Sequence, residues 1–168
     1  MMDSEKILWE IKKDNTVKMV NEGKRPDDRQ PYEYRPIELQ PELISRAEGS
    51  CLAKLGKTQV MVGVKMAVGT PYPDSPERGT LMTNCELPPI ASPLFESGPP
   101  RENAIELARV VDRGIRESSM IDFEKLCIEP KEAVWNVLID ILVLNDNGNL
   151  FDAANLAAVK ALHTAKIP

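Results

Sequence analysis

Arg109, Arg113 and Arg116 follow one another at the i, i+4, i+7 spacing that aligns side chains along one side of a helix. A guanidinium stays charged and offers parallel N–H donors that match phosphate oxygens, so such a stripe suits a nucleic-acid backbone. The apolar residues of the same segment, Ala104, Leu107, Val111 and Ile115, fall on the other side and leave the arginines facing out. A plainly solvated face fits the same pattern. Glu106, Asp112 and Glu117 are near enough to pair with the arginines, at roughly 0.2–0.5 kcal/mol per pair.

Other reactive side chains are few. His163 is the single histidine, so acid–base chemistry through an imidazole has one candidate, near the end of a helical segment. Cys51, Cys85 and Cys127 show no CxxC spacing, and one histidine is too few to complete a zinc site with them. Reduced, buried thiols are the expectation. Trp9 and Trp135 stand in apolar patterns and read as packing residues. Three Phe and three Tyr are too thinly spread for an aromatic RNA-binding sheet.

The elements that must hold these residues can be read from period and punctuation. Asp3 or Ser4 can cap a first helix, in which Ile7, Leu8, Ile11, Val17, Met19 and Val20 suggest one buried side and Gly23 with Pro26 mark the end. Lys24 to Pro36 is polar and reads as an extended connector. Ser50–Lys54 and Thr58–Ala67 form a hairpin turning at Gly56, and Leu81–Leu87 is a further strand. Two proline-rich loops, Thr70–Gly79 and Pro88–Pro100, flank that strand; a long ordered loop in a small domain often serves function. Glu102 to about Glu117 is helical. Val134–Leu144 is the most apolar run and reads as a central strand buried on both faces, and Asp152–Lys166 as a second core helix. The order predicts an α+β domain, helices on a mixed sheet. Residues 1–30 form an N-terminal helix and connector, and residues 31–168 the first portion of the main domain. A sheet ending in a helix at Pro168 predicts that further strands complete it.

An apolar fraction of 42% supplies a real core. The net charge of −5 argues against indiscriminate coating of nucleic acid, though a local basic groove fits on an acidic body. No run approaches the ~18 apolar residues of a membrane span. The charged start MMDSEKILWEIKK does not suit a secretory signal, so a cytoplasmic protein without membrane attachment is expected.

Ordered motifs carry a resemblance. Lys24–Arg25–Pro26–Asp27–Asp28–Arg29, Tyr34–Arg35–Pro36–Ile37, Ala47–Glu48–Gly49–Ser50–Cys51 and Leu55–Gly56–Lys57–Thr58–Gln59–Val60 follow the opening of the RNase PH family in order and spacing. With Pro99–Pro100–Arg101–Glu102–Asn103–Ala104–Ile105–Glu106–Leu107–Ala108–Arg109 and Asn147–Gly148–Asn149, the chain resembles the non-catalytic RNase PH-like subunits of archaeal exosomes. The resemblance implies a ribosomal-protein-S5-like βαβα fold in two halves. It implies a ring of three heterodimers with a catalytic paralogue, RNA-binding cap subunits and single-stranded RNA as partners. Inorganic phosphate is then a substrate at the paralogue's site, with no cofactor. It also turns the odds for Arg109 and Arg113 toward contact with RNA phosphates, with Arg116 and Arg101 as lesser candidates.

Two departures from active relatives bear on catalysis. Those relatives place Gly, then Ser or Thr, then Arg before the last helix to hold phosphate, where this chain has Gly148, Asn149 and Leu150, with Asp152 adding an opposing charge. They carry an arginine pair where Glu102 and Asn103 stand. The expectation is a subunit without catalytic residues, the family's catalytic acid falling beyond Pro168. The rivals are a self-sufficient RNase PH that trims tRNA 3′ ends, and a plain ring-assembly module.

Overall fold

The computed structural model describes residues 4–25 and 27–168. It divides into two units, residues 1–36 and 37–168. In the first, helix α1 spans Ser4–Asn21. Gly23, at φ +71°, closes it: its N–H donates to the Val20 carbonyl (2.9 Å) and that of Lys24 to the Met19 carbonyl (2.8 Å). Two carbonyls left over at the helix end are thereby satisfied, and the left-handed conformation that this needs is one glycine adopts without cost. Asp3, Pro26 and the side chains of Ile7 and Leu8 lie outside the described residues. The expected buried side does not form among the rest: Ile11, Val17 and Val20 are exposed and Met19 is half-buried. The reason is angular. A stripe through Ile11 would continue at positions 14, 15 and 18, which are Asp14, Asn15 and Lys18, while Val17 and Val20 point elsewhere. Trp9, expected to pack, is also exposed, with the Lys13 ammonium 5.0 Å above its ring.

The second unit is a sheet of six strands: β1 (Ile37–Pro41), β2 (Gly49–Leu55), β3 (Thr58–Gly69), β4 (Thr80–Glu86), β5 (Cys127–Glu129) and β6 (Ala133–Asn145). Its order is β1-β2-β3-β6-β4, with the short β5 paired to β6. Only the β4–β6 pair is parallel, and the crossover between them is helix α2 (Glu102–Glu117). Helix α3 (Leu150–Thr164) follows β6 directly. The result is the α+β arrangement of helices on a mixed sheet that the element order predicted, and its βαβα pattern is the one that the resemblance implied.

Both helices lie on one face, α3 over β2 and β3 and α2 over β4. Strand register explains the core. Cys51, Val62, Ile141 and Cys85 stand in one cross-strand row, and Ala53, Val60 and Val143 in the next, all on the helix side and all buried. On the opposite face Leu138 and Leu142 are only half-buried and Asp140 is exposed, so β6 is not buried on both faces as its composition suggested. A helix layer on one side of the sheet gives alternation, and the near-continuous apolar run hides it. Strand β1 escaped the sequence because two apolar residues in a five-residue stretch ending in proline make a weak signal. As an edge strand it tolerates Pro41. The single-turn helix Glu124–Leu126 and β5 were missed for the same want of length. Trp135 packs against the core from its margin, as expected.

Candidate nucleic-acid interface

Helix α2 forms where the apolar period predicted it, with Ala104, Leu107, Ala108, Val111 and Ile115 buried against the sheet. That burial fixes the helix about its axis and turns Arg109 and Arg113 outward. Beside them, along the edge strand β4, lies a shallow pocket of about 270 Å³ lined by Thr83, Ala108, Arg109, Asp112 and Arg113. Neither Arg109 nor Arg113 takes part in any of the ion pairs or side-chain hydrogen bonds among the described residues. Two uncommitted guanidinium groups on one pocket can take two anionic oxygens without breaking anything first.

Arg116 is spent differently. Its Nε donates to Asp112 Oδ2 (2.9 Å) and its Nη2 to Asp112 Oδ1 (3.0 Å). Nη2 also donates to the Leu81 carbonyl of β4 (3.1 Å), and the guanidinium lies 5.7 Å from the Phe123 ring centre. The other acids of the stripe, Glu106 and Glu117, pair with none of the arginines. Arg101 precedes the helix and forms an exposed ion pair with Glu96 at 2.5 Å, across the end of the loop 88–100. Glu102 and Asn103, at the helix entry, are exposed and bring no positive charge.

The turn into α3 is self-contained. Gly148 (φ +83°) and Asn149 (φ +60°) are both left-handed, conformations that Gly and Asn adopt with least strain. The Gly148 N–H donates to Asp146 Oδ1 (2.9 Å) and the Asn147 N–H to Thr58 Oγ1 (3.1 Å), while Thr58 donates to the Gly148 carbonyl (2.8 Å). Asn149 caps α3, accepting from the Asp152 N–H (3.4 Å) and donating to the Asp152 carboxylate (2.6 Å). The N–H groups of Asn147, Gly148 and Asp152 are engaged within the turn itself, and the nearest charge is the negative one of Asp152.

His163 lines a separate apolar groove of about 490 Å³ with Leu39, Leu156 and Leu162, which shares no residue with the arginine pocket. Cys51 and Cys85 are buried and Cys127 partly so, all three free. Among the described residues no cluster of three or more His, Cys, Asp or Glu is placed to hold a metal ion, and no helix is long and apolar enough to cross a membrane. The sequence did not single out Thr83 or Phe123. Thr83 meets Asp112, 29 positions away, only because strand β4 and helix α2 pack together, and no local pattern carries that information.

Residues 33–168 match the model of the 3′ exoribonuclease family, domain 1. Among curated proteins, the chain is 54% identical over 165 residues to the exosome complex component Rrp42 of Methanocella arvoryzae, covering 98% of this chain and 64% of that protein. To the Rrp42 component of Archaeoglobus fulgidus it is 56% identical over 164 residues, covering 98% and 63%. Among solved structures, a chain of the Archaeoglobus fulgidus exosome with RNA bound to the active site superposes with a TM-score of 0.91 at 56% identity, over 96% of this chain and 64% of that one. A chain of an archaeal exosome core gives 0.86 at 50% identity, over 99% and 63%. A rice Rrp46 structure, at 23% identity and a TM-score of 0.66, shares the fold alone. The chain thus spans a little under two thirds of the length of these relatives. On the family match, which takes in β1 to α3 entire, this chain belongs to the 3′ exoribonuclease, or RNase PH, family.

Proposed function

We propose that this chain is a non-catalytic, RNA-binding subunit of a phosphate-dependent 3′-to-5′ exoribonuclease assembly of the archaeal exosome kind. The observation that carries the reading is the contrast between two places. Arg109 and Arg113 stand uncommitted on a pocket at the sheet edge, whereas the Gly148 turn has its N–H groups of 147 and 148 bonded internally and Asp152 beside it. Phosphoryl transfer rests on positioning and charge neutralisation. The chain has cations to position a strand and none at the turn or at Glu102–Asn103 to hold the attacking phosphate.

In this proposal a catalytic RNase PH-like paralogue completes the groove in a trimer of heterodimers, inorganic phosphate reacts on the paralogue's side, and cap subunits and single-stranded RNA are the other partners. No cofactor is involved, and the assembly works in the cytoplasm. Arg109 and Arg113 hold successive backbone phosphates without reading bases. Arg116 and Arg101 lie along the same path but enter it already paired.

The test has two arms. Incubated with RNA and phosphate, the chain alone should release no nucleoside diphosphate, and the mixture with its paralogue should. Release by the chain alone would establish the self-sufficient enzyme instead. Replacing Arg109 and Arg113 together by Glu should weaken RNA retention by the assembly on the order of a hundredfold, two charge-assisted contacts being lost, with assembly preserved. Wild-type retention in that variant would leave a ring-assembly module.

A further inference from the structure

Asp112 is the one acid on the arginine pocket, and neither Arg109 nor Arg113 neutralises it. Its Oδ2 accepts one bond from Arg116 (2.9 Å); its Oδ1 accepts one from Arg116 (3.0 Å) and one from the Thr83 hydroxyl (3.3 Å). An ionised carboxylate offers about four acceptor sites, so capacity remains, chiefly on Oδ2. The side chain is 21% exposed, so a ligand can reach it. Arg116, tied to the Leu81 carbonyl and flanked by Phe123, keeps the carboxylate in that place.

A strand whose phosphates reach Arg109 and Arg113 brings negative charge up to this carboxylate. The contact is unfavourable unless the strand offers a donor there. Phosphate oxygens and the sugar ring oxygen only accept. The one donor along a nucleic-acid backbone is the ribose 2′-hydroxyl, which sits beside the 3′ phosphate of the same nucleotide. A single nucleotide can therefore place its phosphate on the arginines and its hydroxyl on the acid. We propose that Asp112, with Thr83 beside it, reads the ribose 2′-hydroxyl of the strand that Arg109 and Arg113 hold, and so selects RNA over DNA. The proposal rests on the RNA-binding reading above. Thr83 supports it by donating its hydroxyl hydrogen to Asp112 Oδ1, which orients the carboxylate that accepts from the ribose.

The experiment uses the assembled complex and end-labelled single strands followed by fluorescence anisotropy. The probes are an oligoadenylate RNA, its DNA counterpart, and RNAs with one 2′-deoxy substitution walked along the chain. In the wild type one position should cost about tenfold to a hundredfold on deoxy substitution, as for a hydrogen bond to a charged group. That dependence should vanish in Asp112→Asn and shrink in Thr83→Val, while R109E/R113E weakens RNA and DNA alike. A flat deoxy walk in the wild type overturns the proposal without needing any variant to fold, as does a position dependence that survives both single substitutions. If R109E/R113E leaves both strands bound as before, the RNA-binding reading falls and takes this one with it; loss in R109E/R113E with a flat walk sinks the ribose contact alone.

Discussion

Four arginines of one helix and its approach end in three different states, and stability should separate them. Arg116 satisfies Asp112, reaches the backbone of β4 and stacks on Phe123. Removing it leaves a half-buried carboxylate without its partner, so Arg116→Ala should lower the unfolding free energy by about 1–2 kcal/mol. Arg109→Ala and Arg113→Ala break no internal contact and should each stay within about 0.5 kcal/mol of wild type. Urea denaturation of the three variants checks the ordering. If Arg116→Ala were as benign as the others, the Asp112 network would be ornamental. At the same scale, burial in the core pushes the Cys85 thiol up from 9.0 to about 12, with Glu86 adding repulsion. Below pH 9 both folded and unfolded chains keep this proton, so it contributes no pH dependence there. Between pH 9 and about 12 the unfolded chain loses the proton while the folded one retains it. Cys85 therefore makes stability fall with rising pH, by up to about 1.4 kcal/mol per unit. Melts of wild type and Cys85→Ala from pH 8 to 11 should converge as pH rises. A gap that stays constant would mean that the thiol is not protected.

Strand β2 and helix α3 approach each other closely enough for backbone to meet backbone. Ala153, Ala154, Ala157, Ala158 and Ala161 are fully buried, a row of methyl groups that lets the helix settle onto the strands. Where β2 begins, a Cβ on Gly49 would collide with the Ala161 carbonyl oxygen and crowd the Ala165 Cα at 2.9 Å. Backbone cannot yield as a side-chain tip can. Gly49→Ala should cost about 2–4 kcal/mol, and thermal unfolding should show a lower midpoint with α2 and its arginines unaffected until the transition. Next to it, the Lys65 ammonium and the Met66 N–H hold the Glu48 carboxyl below its ordinary range, pinning the start of β2 to β3. These junctions also mark how far the sequence could be read. Long periodic segments were legible: α2 over Glu102–Glu117, the hairpin at Gly56, and the apolar run of β6. Elements without a period of their own, β1 and β5, were not, because their strand character comes from the neighbour they pair with. The single open face of the sheet was hidden for a related reason: composition records how apolar β6 is, and only packing decides which side is covered. Of the site, the arginine stripe was visible as spacing. Its division into one tied and two uncommitted guanidinium groups depends on Leu81, Thr83 and Phe123, which no interval in the chain connects to it.

Across the whole molecule charge is unfavourable for a nucleic-acid partner: the chain carries a net −5, yet the proposed contact is made of two arginines. The resolution is range. At physiological ionic strength charges beyond about 8–10 Å are screened, so the acidic body costs a bound strand little and the arginines at contact distance dominate. This has a measurable consequence. Binding that releases counterions from a single strand weakens with salt at a slope of about −0.7 per phosphate neutralised. If Arg109 and Arg113 each neutralise one phosphate, replacing both by Ala should lower the magnitude of the log–log salt slope by about 1.4, twice the single contact. The measurement is RNA affinity of the assembled complex between roughly 50 and 300 mM salt, wild type against R109A/R113A. A loss of affinity with the slope intact would mean that the arginines act by shaping the groove. A slope reduced by half the expected amount would leave one of them on the strand and return the other to the solvated face.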